Sequence, residues 1–321
     1  MNPDSISLPD TSNQTSKDND GTMLAHSGYV AVIGRPNVGK STLMNRILGE
    51  KIAIVSPKPQ TTRLRQLGIY TEGDVQVVFV DTPGIHEARH KLGEFMVGVA
   101  VDALRDADVI LFVTDLSQLP HEEDRRVAAL LVEAHTGAPV ILALNKLDRL
   151  APDQIAAHVE AYRALIPSTD WVTLSATENR GVDDVLARVI GRLPAGPQFF
   201  PEDQLSDTQM RDLAAEIVRE KVLLNTDQEI PHSVAVEVQE YKERSATLTY
   251  IGANIYVERD SQKGILIGKG GTMLKRISSE ARVDLEKLVD TKVYLELWVK
   301  VLKDWRRDES KLRRFGYKIK K

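Results

Sequence analysis

Eight consecutive residues, Gly34-Arg35-Pro36-Asn37-Val38-Gly39-Lys40-Ser41, fit the pattern G-x-x-x-x-G-K-[ST]. Glycines at both ends let the backbone curl so that successive N–H groups point inward, and a following helix adds partial positive charge. Such a nest can hold the α- and β-phosphates of a nucleotide. Lys40 can reach the β- and γ-phosphates, and the Ser41 hydroxyl can ligate Mg²⁺, with Thr42 adjoining. Downstream, Asp81-Thr82-Pro83-Gly84 supplies a carboxylate able to hold Mg²⁺ through a water, and a glycine whose N–H can approach a γ-phosphate. Asn145-Lys146-Leu147-Asp148 fits N-K-x-D. Its Asp148 carboxylate can accept from guanine N1–H and from the exocyclic amine, Asn145 can tie loops together, and the Lys146 stem can lie along the base. Adenine lacks that donor pair and would leave a buried carboxylate unpaired, at a cost of about 1–3 kcal/mol or more. In Ser175-Ala176-Thr177 the Ala176 N–H can reach guanine O6, with Ser175 shaping the turn.

These residues need strands and helices to hold them, and the flanking pattern supplies both. Tyr29 to Ile33 is a short apolar, β-branched run, and Leu43, Ile47 and Leu48 fall at helical spacing after the glycine loop. Lys51 to Arg65 has neither period and reads as a loop. In a Mg²⁺-dependent nucleotide hydrolase this is where a threonine closes over the metal when a γ-phosphate is present. Thr62 is the expected ligand, with Thr61 the alternative. Gln66 to Tyr70 and Val75 to Val80 read as a hairpin around Thr71-Glu72-Gly73-Asp74. Apolar runs over Asp108 to Val113 and Pro139 to Leu144 alternate with helical patterns over His90 to Arg105 and His121 to His135. A last strand over Trp171 to Leu174 and a helix over Gly181 to Arg192 complete the series. Uniformly apolar strands alternating with helices predict a parallel sheet covered on both faces. The expected fold is α/β, a doubly wound, six-stranded Ras-like GTPase domain over residues 28–193.

Length and composition bound the rest. The chain has 321 residues, enough for two domains, and no cysteine, which excludes disulfides, thiolate zinc sites and thiol catalysis. No apolar run approaches the ~20 residues that span a bilayer, and no signal segment is evident, so the protein is expected in the cytoplasm. Residues 1–27 are polar and expected to be disordered. The net charge of −4 is unevenly spread: residues 261–321 hold 17 Lys/Arg against 8 Asp/Glu. A basic end on an acidic body suggests a polyanionic partner, though charge by itself fits a solvated basic tail equally well.

Pro194-Ala195-Gly196-Pro197 marks a boundary, and residues 194–206 read as a linker whose Phe199 and Phe200 are apolar enough to pack against one domain. From 207 to 321 the pattern is that of an α+β module: a helix over Asp207 to Leu224, then strands over Ser233 to Glu240 and Ala246 to Glu258. Next come Gly264 to Gly271 and a third strand over Val293 to Val301. Gly268-Lys269-Gly270-Gly271 forms a G-x-x-G loop expected between two short helices. In a KH module this loop clamps the backbone of single-stranded nucleic acid, because glycines admit phosphates closely and Lys269 adds charge. Lys275 and Arg276 on the next helix are then the expected phosphate contacts. Residues 302–321 are amphipathic and basic, and Trp298 and Trp305 are expected to be packing residues.

The order of these motifs resembles the Era family of bacterial GTPases, in which a Ras-like domain precedes a type II KH domain. The resemblance is carried by Gly34 to Ser41, Gln60-Thr61-Thr62-Arg63, Asp81-Thr82-Pro83-Gly84-Ile85-His86, Gly264 to Gly271 and Leu297-Trp298-Val299-Lys300-Val301. It implies a GTP-to-GDP hydrolase that uses Mg²⁺ and binds near the 3′ end of small-subunit rRNA during ribosomal subunit maturation. A monomer, with peripheral association to the cytoplasmic face of the membrane, is expected. Lys40, Thr62 and Gly84 are the residues expected to bear on hydrolysis, and Ser41, Thr62 and Asp81 on the metal. Ile85 stands where many GTPases carry a water-orienting glutamine, so slow turnover is expected, on the order of 10⁻³ to 10⁻² s⁻¹. Asn37 resembles the residue that helps hold K⁺ beside the phosphates in related GTPases. Two other classes stay open. A P-loop ATPase or kinase would need a base reader other than Asp148, and a GTPase whose last domain binds protein would not associate with RNA.

Overall fold

The glycine loop Gly34–Ser41 and the stretch Asn145–Asp148 lie more than 100 positions apart in sequence, and one mostly parallel sheet brings them to the same edge. The structure, a computed structural model, describes residues 25–317 apart from 59, 86, 89 and 167–169. The expected disordered extension therefore lies largely outside the described residues, as do His86 and the last four residues.

The first sheet contains β1 (His26–Ile33), β2 (Gln66–Glu72), β3 (Val75–Asp81), β4 (Val109–Asp115), β5 (Val140–Asn145) and β6 (Asp170–Thr173). Their spatial order is β2-β3-β1-β4-β5-β6, parallel throughout except where the β2–β3 hairpin runs antiparallel. Five helices cover it: α1 (Lys40–Leu48), α2 (Lys91–Arg105), α3 (Glu122–Ala134), α4 (Ile155–Arg163) and α5 (Val182–Ile190). Alternate strand residues feed two apolar layers. Val30, Val32 and Val113 pack towards α1 and α5, while Ala31, Ile33 and Phe112 pack towards α2, α3 and α4. The sequence pattern had not singled out α4, because only Val159 and Tyr162 of its residues are buried. The switch from β1 neighbouring β3 to β1 neighbouring β4 opens a crevice at the strand ends, where such folds bind ligands.

The second half has its own three-stranded sheet: β7 (Ala235–Ser245), β8 (Leu248–Val257) and β9 (Lys292–Val301), with β7–β8 antiparallel and β8–β9 parallel. Helices α6 (Met210–Asn225), α8 (Asp260–Ile267) and α9 (Thr272–Val289) cover one face and share its core. One expectation needs correction. The helix after the G-x-x-G loop is long, running 18 residues, because Ile277, Ala281 and Leu285 continue a buried stripe past its first turns. A short helix, α7 (Ile230–Ser233), precedes β7, and α10 (Glu309–Arg314) closes the described chain. Trp305 is fully buried, as expected of a packing residue, whereas Trp298 is 45% exposed on the outer face of the sheet. There the Trp298 ring lies across Gly252, while α2 and α10 pack on the same face further along, at Tyr256.

The linker folds back on the first half. Phe199 stacks on Tyr29 with ring centroids 5.1 Å apart, and both Phe199 N and Phe200 N donate to Gln76 Oε1 at 2.7 and 3.0 Å. The two halves meet elsewhere, where residues 51–65 and α2 contact α6, α7 and the C-terminal segment. Leu92, Phe95 and Met96 of α2 share an apolar cluster with Tyr256, Trp305, Leu312 and Tyr317.

Candidate nucleotide and RNA sites

The chain turns sharply between β1 and α1 because Gly34 and Gly39 adopt φ of +151° and +102°. A Cβ on Gly34 would lie 2.2 Å from the Val113 carbonyl oxygen, so the loop can sit against β4 only with glycine there. Within this nest Lys40 is buried, and its Nζ donates to the Gly34 and Arg35 carbonyls, each at 3.1 Å. Burial pulls its pKa down to about 8, against the pull of Asp81 in the other direction. Arg35 does not face the nest. It turns outward to Asp124 at 3.1 Å and Asp115 at 3.7 Å, bracing the loop against α3. Pro36, Val38 and Thr42 follow the curve of the loop, with Val38 fully buried.

Below the loop, three side chains from three elements converge. Ser41 Oγ lies 2.6 Å from Asp81 Oδ2 and 2.9 Å from Thr62 Oγ1, and Thr62 Oγ1 is 3.3 Å from Asp81 Oδ2. Thr61 does not join them: its hydroxyl donates to the Lys58 carbonyl at 2.7 Å, within its own loop. Asp81 is buried, which raises its pKa, and its Oδ1 has no hydrogen-bond partner. Hydroxyls and a carboxylate are the hard oxygen donors that Mg²⁺ prefers, so the residues fit that ion. Thr82 anchors the turn through a 2.8 Å bond to the Val32 carbonyl, and Pro83 leads into Gly84. A Cβ on Gly84 would come within 2.6 Å of Pro36 N, so glycine is what lets the two loops touch. Ile85 is buried in the core and cannot orient a water.

Asn37 sits at φ +63°, and its Nδ2 donates to the Pro57 carbonyl at 2.8 Å, fastening the phosphate loop to the segment 51–65. At the base-reading end, Asn145 bridges loops as expected: Nδ2 donates to Val38 O at 2.9 Å and Oδ1 accepts from Ala176 N at 3.0 Å. The Ala176 N–H expected for guanine O6 is thus already engaged, and a base would have to share it. Ser175 Oγ donates to Asp148 Oδ1 at 2.5 Å and aims that carboxylate. Lys146 extends beneath the loop to Asn37 O at 2.7 Å and Asp115 Oδ2 at 2.6 Å. Asp115 was missed in the sequence, although an acid ending an apolar strand is the same signal that marks Asp81. Burial raises the Asp115 pKa, but Lys146 and Ser117 outweigh it and hold the carboxylate below its ordinary range.

In the second half, Gly268, Gly270 and Gly271 all take positive φ, and Lys269 projects into solvent. Lys275 is exposed; Arg276 is also exposed but pairs with Glu280 at 2.9 Å, a contact any phosphate must displace. Ile265 on α8 is half-exposed beside the loop, an apolar surface for a base that the sequence reading had not named.

Residues 29–146 match the family described as 50S ribosome-binding GTPase, and residues 229–306 match the KH domain. GTPase Era of Ruminiclostridium cellulolyticum is 48% identical over 92% of this chain and 98% of its own length. The chain belongs to the Era family of GTPases. GTPase Era of Geobacter metallireducens is 51% identical over 91% of this chain and 97% of its own. A crystal structure of Era with MgGDPNP and nucleotides 1506–1542 of 16S ribosomal RNA superposes with a TM-score of 0.88 at 40% identity. That match covers 92% of this chain and 99% of the other. An Aquifex aeolicus Era variant bound to GDP·AlF₄⁻ gives a TM-score of 0.87 at 40% identity, covering 92% and 100%. This Era-family chain is a GTP hydrolase built from a P-loop GTPase domain and a C-terminal KH domain, and the P-loop ATPase alternative is set aside.

Proposed function

We propose that this protein binds GTP and Mg²⁺ in the crevice under residues 34–42, hydrolyses GTP slowly, and holds the 3′ end of small-subunit rRNA during subunit maturation. The observation that carries the nucleotide reading is the convergence of Ser41, Thr62 and Asp81 within 3.3 Å. Ser41 and Thr62 would hold the metal directly and Asp81 through water. Held by these residues, Mg²⁺ would supply positive charge against the negative charge that develops on the phosphates. Lys40, moved from the Gly34 and Arg35 carbonyls, would bind the β- and γ-phosphates. The Gly84 N–H would meet the γ-phosphate, and Asn145, Lys146, Asp148, Ser175 and Ala176 would enclose the base. Residues 28–193 would act as the GTPase unit, 194–206 as linker and 207–321 as the KH unit; their separate sheets and cores support that division.

The RNA reading draws on the related Era structure with 16S rRNA nucleotides and on the exposed Lys269 and Lys275 beside a loop of positive-φ glycines. K⁺ held near Asn37, action in the cytoplasm as a monomer, and peripheral membrane contact complete the proposal. Among the described residues no helix is long and apolar enough to cross a membrane. Titration of a fluorescent single-stranded copy of the rRNA 3′ tail into the GTP-analogue-loaded protein tests the reading. Saturable binding, lost when the tail sequence is scrambled, is expected; no binding would favour a protein partner for the KH domain instead.

A further inference from the structure

Thr61, Thr62 and Arg63 run between the two halves and are tied to the KH half twice, through the side chain of Arg63 and through Arg219 reaching from α6. Arg63 is 1% exposed; its Nη1 donates to Val234 O at 2.6 Å and its Nη2 to Pro231 O at 2.9 Å, both in the KH half. Its guanidinium lies 5.9 Å from the centre of the Trp305 ring, and Trp305 Nε1 in turn donates to Ser233 O at 2.8 Å. From α6, Arg219, equally buried, donates through Nη2 to the Thr61 carbonyl and through Nε to Glu216 Oε1 at 2.8 Å. Further along the same loop, Glu220 accepts from Val55 N at 2.9 Å and from Lys51 at 2.6 Å. The residue expected to close over the metal is therefore flanked on both sides by bonds to the other domain.

This arrangement is costly for a contact that merely joins two domains. Two guanidinium groups are buried together, Arg219 beside Glu216 and Glu220, which hold its pKa up, and both Arg63 Nε and Arg219 Nη1 lack hydrogen-bond partners. Burial and the neighbouring Arg219 pull the Arg63 pKa down to about 10. Apolar side chains of similar volume would join the domains without that penalty. Arginines supply what apolar chains cannot, directional bonds that tie the residues on either side of Thr62 to the other half.

We propose that Arg219 and Arg63 are positioning residues for GTP hydrolysis: the KH half holds Thr62 where metal and γ-phosphate must meet it, so part of the GTPase machinery is lent by the RNA-binding domain. This rests on Thr62 as the switch ligand. Because linkage is reciprocal, a γ-phosphate that engages Thr62 favours this docking of the domains in return. Trp305 acts behind Arg63, keeping its planar group against the α7 carbonyls.

The test uses the full chain and its Arg219→Ala and Arg219→Lys variants. GDP and a non-hydrolysable GTP analogue, both fluorescently labelled, are titrated in Mg²⁺, and single-turnover hydrolysis is measured at saturating GTP. Only the triphosphate carries the γ-phosphate against which Thr62 closes. Arg219→Ala should weaken the analogue about tenfold, the effect of losing one charge-assisted hydrogen bond, while GDP affinity changes less than about twofold. Hydrolysis should fall in parallel, and Arg219→Lys, which keeps one donor for the Thr61 carbonyl, should recover part of both. Trp305→Phe keeps the ring but loses the bond to Ser233; it should show the same split more mildly if Arg219→Ala does not fold. Equal weakening of both nucleotides, or an unchanged analogue affinity and rate, overturns the proposal. Failure of the wild-type chain to prefer guanine nucleotides would instead overturn the site reading beneath it.

Discussion

Asp148 and Lys40 show how single side chains set what the crevice accepts. Ser175 holds Asp148 Oδ1 at 2.5 Å, and Oδ2 has Arg149 Nε no nearer than 3.8 Å, so it is the oxygen left to accept from a base. Asp148→Asn should weaken GTP binding by about 10- to 100-fold and improve xanthine nucleotide binding, since the new amide can donate to the xanthine O2. Competition binding with both nucleotides checks this, and unchanged GTP affinity would defeat the assignment. Lys40 has a pKa of about 8 because burial outweighs the attraction of Asp81. Phosphates arriving beside it must raise that value, so nucleotide binding takes up a proton once the free site has begun to lose one. GTP affinity should hold below pH 8 and fall above it, by at most about tenfold per pH unit. Calorimetry at pH 8.5 in two buffers of different ionisation enthalpy would register the uptake, and buffer-independent heats would contradict it.

At the scale of elements, the loops around the crevice are joined to each other as well as to their own strands. Gly84 touches Pro36 so closely that a methyl group would meet its backbone at 2.6–2.7 Å. Gly84→Ala should push the segment after β3 away from the phosphate loop, at a cost of about 1–3 kcal/mol to the closed arrangement. GDP binding should survive while the preference for a GTP analogue over GDP disappears, as measured by the ratio of the two affinities. Asn37 joins the phosphate loop to Pro57 of the segment bearing Thr62. With Ile85 buried, a cation near Asn37 is our candidate for the charge neutralisation that an arginine finger provides elsewhere. Hydrolysis should run faster in KCl than in NaCl at matched ionic strength, and Asn37→Ala should remove the difference. Equal rates in the two salts would remove K⁺ from the proposal.

Across the whole molecule, the RNA loop and the phosphate loop lie on different sheets, so Lys269 cannot touch the reaction. Replacing Lys269 and Gly270 together by Asp puts two anions where RNA phosphates must approach, and leaves the α6–Arg219 contact with Thr61 unaltered. Anisotropy should show loss of single-stranded RNA binding with GTPase turnover nearly intact. Wild-type affinity for that RNA should also be higher with a GTP analogue than with GDP, because the segment that senses the γ-phosphate is the one bonded to the KH half. Equal RNA affinities in the two nucleotide states would separate the domains functionally.

The phosphate loop, Asp81 to Gly84 and the N-K-x-D stretch were legible in the sequence because their chemistry is local. A nest is made from the N–H groups of adjacent residues, and a strand end delivers a side chain to a predictable edge of the sheet. Alternating apolar strands and helices likewise determined the parallel sheet, since each strand must be covered on both faces. Only tertiary structure decided between Thr61 and Thr62 as neighbour of Asp81, because the choice depends on how residues 51–65 lie across the crevice. The same holds for the coupling surface. Arg219 meets Thr61 across 158 residues, and Arg63 meets Val234 across 171. Arg219 carries no local pattern that distinguishes it from a solvated cation, and the motif that contains Arg63 does not say which carbonyls it meets. Phe199 and Phe200, apolar and in the linker, pack against one domain as expected, but that it is the first sheet only the fold decides. Which apolar surface a linker residue covers depends on where the folded domains leave space, and no spacing rule along the chain records that.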